Sequence, residues 1–267
     1  MSKKPIMHKA RKRFGQNFLH DPGVIRRIIR AISPRPSDCM VEIGPGLGAI
    51  TEHLLEEAGE LDAVELDRDL PPILRTKFFT YGDQFRIHEA DAMKFDFTSL
   101  CRDDKPLRVV GNLPYNISTQ LIFHLLSFAG QIQDMHFMLQ KEVVDRMAAG
   151  PGENNYGRLS IMAQYRCQVE SLFQVPPGAF NPAPKVDSAI IRLTPYTELP
   201  HPAKDIKQLE DLVRTAFGQR RKTLRNNLKG LITAEALEAQ EIDPGLRPEK
   251  LSVADYVALS NYLTSST

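Results

Sequence analysis

VEIGPGLG, residues 41–48, has the pattern of an apolar β-strand that runs into a glycine-rich turn and then into a helix. Glycines allow the backbone of such a turn to approach a ligand without a Cβ clash, and the first turn of the helix offers free amide donors. Glu65 follows Gly44 by 21 residues, at the end of the next predicted strand. A carboxylate there can accept hydrogen bonds from both hydroxyls of an adenosine ribose. The stretch therefore predicts a nucleoside-binding turn, with a tight turn that binds nothing as the alternative.

Around this turn, short β-rich runs alternate with helical patterns. Strands are predicted at 39–44, 61–67, 84–90, 107–112 and 134–140, and helices at 22–32, 48–58 and 117–128. The alternation predicts an α/β, Rossmann-like fold in which a mostly parallel sheet has helices on both faces. The glycine spacing is G-x-G-x-G, which departs from the G-x-G-x-x-G of NAD-binding domains. A NAD-dependent oxidoreductase is therefore disfavoured, also because no hydride-transfer acid is evident.

The second half of the chain contains a predicted domain boundary. Residues 168–175 and 188–194 read as two strands joined by a proline-rich segment, and strands joined this closely are expected to form an antiparallel pair at the sheet edge. Beyond 195–202, apolar residues recur only at helical spacing. We predict a main domain over 1–198 and a small α-helical C-terminal domain over 199–267.

The charges of the chain are unevenly distributed. Residues 1–30 carry nine Lys or Arg and one acid, and residues 214–229 carry six Lys or Arg and no acid, whereas the remainder has a net charge of −13. Basic clusters of this kind attract phosphate backbones and indicate a nucleic-acid partner. Solvated surface charge is the alternative.

Cysteine, histidine and hydropathy patterns disfavour other classes of protein. Cys39, Cys101 and Cys167 include no Cys-x-x-Cys pair, which argues against a disulfide framework and for a reducing, cytoplasmic location. The seven histidines include no His-x-x-x-His pair, so no metal is expected. No apolar run approaches the ~20 residues that span a bilayer, so no membrane partner is expected. We expect a monomer, because no long exposed apolar stripe is evident.

Three further segments carry candidate ligand contacts. Asp91, in EADA (89–92), follows the third predicted strand and can accept a hydrogen bond from the exocyclic amine of a bound adenine; capping of the next turn is the alternative. Phe180 lies in a proline-rich segment that would hold its ring against a nucleobase, or it fills the core beneath the loop. Gln16 and Asn17 cap either a ligand or a turn.

GNLPY, residues 111–115, closes the fourth predicted strand and has the most specific chemistry. The N6 amine of adenine is a weak nucleophile, because its lone pair is delocalised into the ring. Attack on a sulfonium methyl group requires a pyramidal amine, which hydrogen-bond acceptors on its two hydrogens favour. The side-chain oxygen of Asn112 and the backbone carbonyl of Leu113 are predicted to supply them, and Tyr115 offers a stacking face for an extruded base. A turn capped by Asn with Tyr as core filler is the alternative.

These segments resemble those of the rRNA adenine N6,N6-dimethyltransferases, in particular the bacterial members that act on 16S rRNA. The matching stretches run across nearly all of the main domain: RKRFGQNFLHD (11–21), VEIGPGLGAIT (41–51), VELDRD (64–69), EADA (89–92), VGNLPYNIS (110–118), MLQKEVVDRM (138–147), YGRLSIMAQY (156–165) and AFNPAPKVDSAIIRL (179–193). The resemblance implies a class I S-adenosylmethionine-dependent methyltransferase fold with a small helical C-terminal domain. It implies that S-adenosyl-L-methionine is the methyl donor. The implied substrate is a pair of adjacent adenosines in a hairpin loop near the 3′ end of 16S rRNA, within an assembling small ribosomal subunit.

The resemblance also implies roles for individual residues. The family's cofactor contacts fall on Asn17, Leu19, Gly44, Glu65, Asp91 and Asn112. Its base-holding aromatic residues fall on Tyr115 and Phe180, which join Asn112 and Leu113 as predicted catalytic residues. A segment around Arg220, Arg221, Lys222 and Arg225 resembles the family's rRNA-gripping segment, and the charge pattern adds Arg11, Lys12 and Arg13.

Three related functions remain as alternatives. A DNA adenine N6-methyltransferase would use an Asn/Asp-Pro-Pro-Tyr motif, where this chain has Leu113, and no DNA-reading domain is evident. A 23S rRNA methyltransferase of the antibiotic-resistance type shares the chemistry, although the acidic, proline-rich and C-terminal features fit the 16S type better. A non-catalytic ribosome-assembly or transcription factor would not require intact Glu65, Asp91 and Asn112.

Overall fold

The computed structural model describes residues 16–219 and 221–266. Four predicted RNA contacts, Arg11, Lys12, Arg13 and Arg220, lie outside the described residues.

The strands are β1 (Phe18–Leu19), β2 (Cys39–Ile43), β3 (Leu61–Glu65), β4 (Phe85–Glu89), β5 (Leu107–Asn112), β6 (Ile132–Gln140), β7 (Cys167–Val175), β8 (Phe180–Asn181) and β9 (Ser188–Pro195). The α-helices are α1 (Pro22–Ile32), α2 (Thr51–Ala58), α3 (Leu70–Lys77), α4 (Ser118–Leu126), α5 (Lys141–Ala148), α6 (Arg158–Arg166), α7 (Ile206–Ala216), α8 (Leu224–Asn227), α9 (Ala234–Ala239) and α10 (Val253–Ser266). Within the described ranges, no helix combines the length and apolar character that crossing a membrane requires.

The main sheet confirms the predicted α/β architecture. Its seven strands lie in the order β4-β3-β2-β5-β6-β9-β7. The first five run parallel to one another, and β9 pairs antiparallel with β6. The two strands predicted at the sheet edge are β9 and β7. Chain order reverses between β2 and β5, and open α/β sheets bind ligands at the carboxyl ends of the strands beside such a reversal.

The strand register brings the two principal motifs together. Ile43, the last residue of β2, lies opposite Gly111 of β5 and Val64 of β3. A Cβ atom on Gly111 would lie 2.5 Å from the carbonyl oxygen of Ile43, so only glycine fits at this pair without a shift of the backbone. The glycine turn and the GNLPY segment therefore leave the sheet side by side.

Helix α1 forms as the sequence predicts. Asp21 caps it, because its Oδ1 accepts a hydrogen bond of 2.9 Å from the backbone N–H of Val24. Pro22 occupies the first turn, where no N–H is needed. The helix buries Ile25, Ile28, Ile29 and Ile32 along one side. It ends at Ser33, which adopts a left-handed conformation with φ of 50°.

One hydrophobic cluster joins the N-terminal helices to the sheet. It contains the four buried isoleucines of α1, leucines of α2 and α3, and apolar residues of β2, β3 and β5. The segment that contains Ala179 and Phe180 and the strand residue Ile190 close the same cluster. This core fixes the carboxyl ends of the parallel strands, where the candidate site lies.

The chain divides into two compact units. The first contains the chain up to Lys141 together with Glu170–Pro195, and the second contains Glu142–Val169 together with the chain from Tyr196 onward. The predicted boundary at residue 198 lies close to the last of the three points at which the chain passes from one unit to the other, but the sequence pattern places 142–169 in the first domain. That segment packs with the C-terminal helices instead. Its Tyr156 hydroxyl donates to the Leu251 carbonyl at 2.9 Å, and its Arg166 lies 4.0 Å from Glu210.

Candidate active site

A cavity opens at the carboxyl ends of β2, β3 and β5, beside the reversal in chain order. Its lining includes eight of the residues predicted to bind cofactor or carry out catalysis: Asn17, Leu19, Gly44, Glu65, Asp91, Asn112, Leu113 and Tyr115. These residues come from five separate segments of the sequence. The fold therefore assembles them into one site.

Glu65 is held in place by backbone amides. Its Oε1 accepts a hydrogen bond of 2.8 Å from the N–H of Asp67, and its Oε2 lies 3.4 Å from the N–H of Gly46. Burial raises the pKa of the Glu65 carboxyl, and these backbone hydrogen bonds oppose the rise. Gly44 begins the turn with φ of +66°, a conformation that favours glycine. The carboxylate is thus fixed at the mouth of the glycine turn.

Two more acidic side chains border the cavity. Oδ1 of Asp91 accepts a hydrogen bond of 3.0 Å from the N–H of Met93, so Asp91 caps the turn and lines the cavity at once. Asp67, which sequence reasoning did not single out, accepts a hydrogen bond of 2.9 Å from Nε2 of Gln16. Its position two residues after Glu65 in VELDRD was the available signal.

These residues suit the nucleoside part of S-adenosylmethionine. A carboxylate such as Glu65 can accept from ribose hydroxyls, and Asp91 can accept from an adenine amine. The neighbouring Leu66 side chain is 49% exposed and lines the cavity, which gives it an apolar wall. The donor set and the glycine turn therefore fit the cofactor that the sequence resemblance implies.

Asn112 is oriented by the N-terminal segment. Its Nδ2 donates a hydrogen bond of 3.0 Å to the backbone carbonyl of Asn17. Because this bond directs Nδ2 toward Asn17, the acceptor Oδ1 points away from Asn17. The next residue, Leu113, is buried, and its N–H lies 3.2 Å from the carbonyl of Met138. The start of the turn is therefore anchored to β6.

Tyr115 is fixed by a residue that sequence reasoning missed. Its hydroxyl lies 2.7 Å from Oγ of Ser188, which is fully buried at the start of β9. Burial raises the pKa of Tyr115, and the hydrogen bond to Ser188 opposes the rise. Ser188 lies opposite Gln140, the last residue of β6. The available signal was a serine directly before the apolar run of β9, and sequence alone does not give such a serine a partner.

Phe180 does not line the cavity in this structure. It is 3% exposed and belongs to the hydrophobic cluster. It forms β8 with Asn181, and β8 pairs antiparallel with β1 so that Phe180 lies opposite Leu19. The ring therefore lies behind β1, whose Leu19 lines the cavity, and its role as a stacking face stays a prediction.

Two buried ionisable groups within the cavity lining were also missed. Glu42 is 1% exposed, its Oε2 accepts a hydrogen bond of 2.6 Å from the Thr51 hydroxyl, and burial raises its pKa to about 8. His136 on β6 accepts a hydrogen bond of 3.1 Å from Nε of Arg192, and burial lowers its pKa to about 4. Both side chains are therefore neutral near pH 7. A glutamate inside an apolar strand was the signal for the first.

The basic cluster of the second unit is held by an asparagine. Oδ1 of Asn227 accepts from the N–H of Gln219 at 3.2 Å, and its Nδ2 donates to the carbonyls of Gln219 and Lys222 at 3.1 and 3.3 Å. Arg221, Lys222 and Arg225 are exposed. Within the described part of the chain, none of the three forms a salt bridge, and Arg225 lies near enough to Glu235 to help lower the pKa of that carboxyl.

Metal ligands do not cluster in the described part of the chain. No group of three or more His, Cys, Asp or Glu side chains that could hold a metal ion occurs among residues 16–219 and 221–266.

The whole chain is similar to known rRNA-modifying proteins. A family model described as "Ribosomal RNA adenine dimethylase" matches residues 7–265. A protein of Marinobacter nauticus named "Ribosomal RNA small subunit methyltransferase A" is 67% identical over 259 residues, which cover 97% of this chain and 93% of that protein. A protein of the same name from Pseudomonas aeruginosa is 63% identical over 96% of this chain and 95% of its own length.

Solved structures share the fold. A dimethyladenosine transferase from Plasmodium falciparum has a TM-score of 0.77 and 28% identity, covering 91% of this chain and 95% of its own. The 23S rRNA methyltransferase ErmE has a TM-score of 0.73 and 25% identity, covering 93% of this chain and 100% of its own.

Proposed function

This chain belongs to the ribosomal RNA adenine dimethylase family, and from that membership we propose that it dimethylates N6 of two adjacent adenosines in 16S rRNA. The methyl donor is S-adenosyl-L-methionine. The adenosines lie in a hairpin loop near the 3′ end of the rRNA, and the reaction occurs while the small ribosomal subunit assembles. The 67% identity to a protein named for the small subunit supports this substrate over 23S rRNA, to whose methyltransferase the identity is 25%.

One structural observation carries the proposal. The segment that suits adenine-amine chemistry, Asn112 to Tyr115, and the residues that suit the cofactor, Gly44, Glu65 and Asp91, line the same cavity. A methyl donor and an acceptor amine must meet within about 3–3.5 Å for direct transfer. A shared cavity is the arrangement that such a transfer requires.

The chain binds and orients the methyl donor through residues of the first unit. When bound, S-adenosylmethionine supplies a methyl group on a positively charged sulfur. Because the sulfur leaves as a neutral thioether, its departure is favourable without a metal. Glu65 accepts from the ribose hydroxyls, and Asp91 accepts from the adenine amine. Asn17 and Leu19, which line the cavity, exclude water from the part of the site that they contact.

The target amine is polarised by Asn112 and Leu113. In the first transfer to each adenosine, Oδ1 of Asn112 and the Leu113 carbonyl accept the two N6 hydrogens and so favour the pyramidal amine that attacks the methyl group. The N6–methyl bond forms as the sulfur–methyl bond breaks, and the aminium product then loses its proton to water. No covalent enzyme intermediate and no general base are needed.

Tyr115 and Phe180 hold the extruded base. The Tyr115 ring, fixed through its hydroxyl by Ser188, offers one stacking face at the cavity. Phe180 is the proposed second face, and its ring, which is buried in the structure, would have to turn toward the base for this role. The rRNA backbone is bound by the basic arm around Arg11 and by the cluster around Arg221.

We also propose that the chain acts as a monomer in the cytoplasm, where bacterial subunits assemble, and that it needs no metal. The exposed large apolar side chains among the described residues, such as Phe79, Val186 and Leu231, come from separate segments. Size-exclusion chromatography with light scattering tests the monomeric state. The methylation assay, run with and without a chelator, tests whether a metal is needed.

A methylation assay with labelled S-adenosylmethionine tests the function. Small subunits that lack the modification, free 16S rRNA, 23S rRNA and DNA are offered in parallel. Label on adjacent adenines of 16S rRNA is the expected result, and label in 23S rRNA or DNA alone contradicts the substrate assignment.

A further inference from the structure

Helix α1 carries a face of arginines opposite its buried side. Arg26, Arg27 and Arg30 are all exposed. Successive residues of an α-helix are about 100° apart, so the three arginines share an arc of about 100° that points away from the buried isoleucines. The helix contains no acidic residue. Within the described residues, none of the three arginines forms a salt bridge, which leaves a concentrated and unneutralised positive charge.

The arginine face lies on the outer side of a helix whose inner side lines the cavity. Ile28 and Ile32, on that inner side, line the cavity, as do Asn17 and Leu19 just before the helix. A helix with its side chains is about 10–12 Å across. A polyanion bound along the arginine face would therefore lie about one helix diameter from the part of the cavity wall that α1 forms.

One of the arginines is already held by packing. Cζ of Arg27 lies 4.0 Å from the centroid of the Phe173 ring, on β7. Stacking of this kind orients a guanidinium without neutralising it. Arg30, in the last turn, also complements the helix dipole, but Arg26 in the middle of the helix has no such structural role.

We propose that the α1 arginine face, Arg26, Arg27 and Arg30, binds the phosphate backbone of the rRNA substrate beside the catalytic cavity. The proposal rests on the proposed function, because the anion is the rRNA that the enzyme methylates. Guanidinium groups favour phosphate, since their planar fork can donate two hydrogen bonds to it. This surface belongs to the first unit, whereas the Arg221 cluster belongs to the second.

The test compares Arg26→Gln/Arg30→Gln with a control, Arg75→Gln/Arg102→Gln. Both variants lose two positive charges from the first unit, and glutamine has a helix propensity close to that of arginine, so α1 is kept. The control arginines lie outside the two basic segments and already have partners, since Arg75 lies 3.0 Å from Glu89 and Arg102 lies 2.9 Å from Asp62. The measurements are KM for unmodified small subunits over a range of KCl concentrations, Kd for S-adenosylmethionine and Tm.

We expect KM for subunits to rise several-fold in the α1 variant, with an unchanged Kd for the cofactor. The slope of log(1/KM) against the logarithm of the KCl concentration should fall in magnitude by about 1 for each phosphate group that the variant no longer binds. The control should keep the slope of the unsubstituted chain. Arg26→Lys/Arg30→Lys keeps the charge and should keep most of the slope. An unchanged slope in the glutamine variant, or an equal reduction of the slope in the lysine variant, overturns the proposal.

The experiment distinguishes failure of the proposed function from failure of the α1 proposal. Failure of the unsubstituted chain to methylate small subunits contradicts the proposed function itself, whereas normal methylation with unchanged salt dependence in the variant contradicts the α1 surface alone. If the double variant has a lowered Tm, Arg26→Gln alone is compared with Arg75→Gln, because it leaves the last turn of the helix intact. A slope reduced by about 1 in Arg26→Gln supports the proposal, and an unchanged slope overturns it.

Discussion

Nδ2 of Asn112 donates a hydrogen bond to the backbone carbonyl of Asn17, a residue 95 positions earlier in the chain. The bond links the end of β5 to the N-terminal segment that lines the same cavity. It also fixes which atom of the Asn112 amide is available for the substrate. Orientation of the acceptor is therefore built before the substrate arrives, which reduces the reorganisation needed in the transition state.

Asn112→Ala should abolish most methyl transfer and leave part of the cofactor binding. Loss of one preorganised transition-state hydrogen bond costs about 100- to 1,000-fold in kcat. The measurement is single-turnover methylation of small subunits, together with calorimetric titration of S-adenosylmethionine. A normal transfer rate in this variant would show that Asn112 does not act as the acceptor.

Ser188→Ala should lower kcat/KM for rRNA several-fold, because the Tyr115 hydroxyl loses its 2.7 Å partner and the ring is less constrained. A neutral hydrogen bond contributes about 0.5–1.5 kcal/mol. Tyr115→Phe removes the same bond from its other end and keeps the stacking face. If the bond is the cause, the double variant should be no worse than either single one. Additive losses would point to a separate packing role for Ser188, which Tm would reveal.

Phe180→Leu separates stacking from core packing. Leucine preserves an apolar side chain in the cluster, and we expect a loss of less than about 2 kcal/mol in the free energy of unfolding. It removes the aromatic face, which is worth about 1–3 kcal/mol per stacked base. A stacking role therefore predicts near-normal Tm with kcat/KM lowered about 10-fold or more. A variant with lowered Tm and normal kcat/KM would assign Phe180 to the core alone.

The sequence predicts the sheet and the position of the cavity, because period-two and helical patterns and the glycine turn are local signals. Partners of the site residues are not local. Ser188 lies 73 positions from Tyr115, and Asn17 lies 95 from Asn112, so each contact depends on strand order and register. Burial of Phe180 and the grouping of 142–169 with the C-terminal helices depend on tertiary packing in the same way. Residue identity indicates the chemistry of the site, whereas topology determines how each group is held.

Glu42 should make stability fall as pH rises. Its folded-state pKa of about 8 lies above the ordinary glutamate value of 4.5, so between these pH values the folded protein holds a proton that the unfolded chain has released. Stability linked to this proton is fully present below about pH 4.5 and is lost as pH rises through about 8. Glu42→Gln removes the titration and keeps an acceptor for Thr51. Urea unfolding at pH 5, 6.5 and 8 should show the variant gaining stability over the unsubstituted chain as pH increases. Exposed Glu142→Gln is the control, and parallel pH profiles for all three proteins would contradict the assignment.

Asn227→Ala should weaken rRNA binding without removing a charge. The variant loses three hydrogen bonds to the backbone of Gln219 and Lys222, so the exposed Arg221 and Lys222 lose more conformational entropy when they bind phosphate. We expect KM for small subunits to rise several-fold at every salt concentration, with little change in the salt slope. Arg221→Gln, in contrast, should reduce the slope by about 1. Asn227→Asp keeps an acceptor for the Gln219 N–H but loses both donated hydrogen bonds and adds a negative charge to the basic cluster, so its KM should exceed that of the alanine variant. Equal KM values for Asn227→Ala and the unsubstituted chain, with Arg221→Gln impaired, would show that the loop binds rRNA without being preorganised by Asn227.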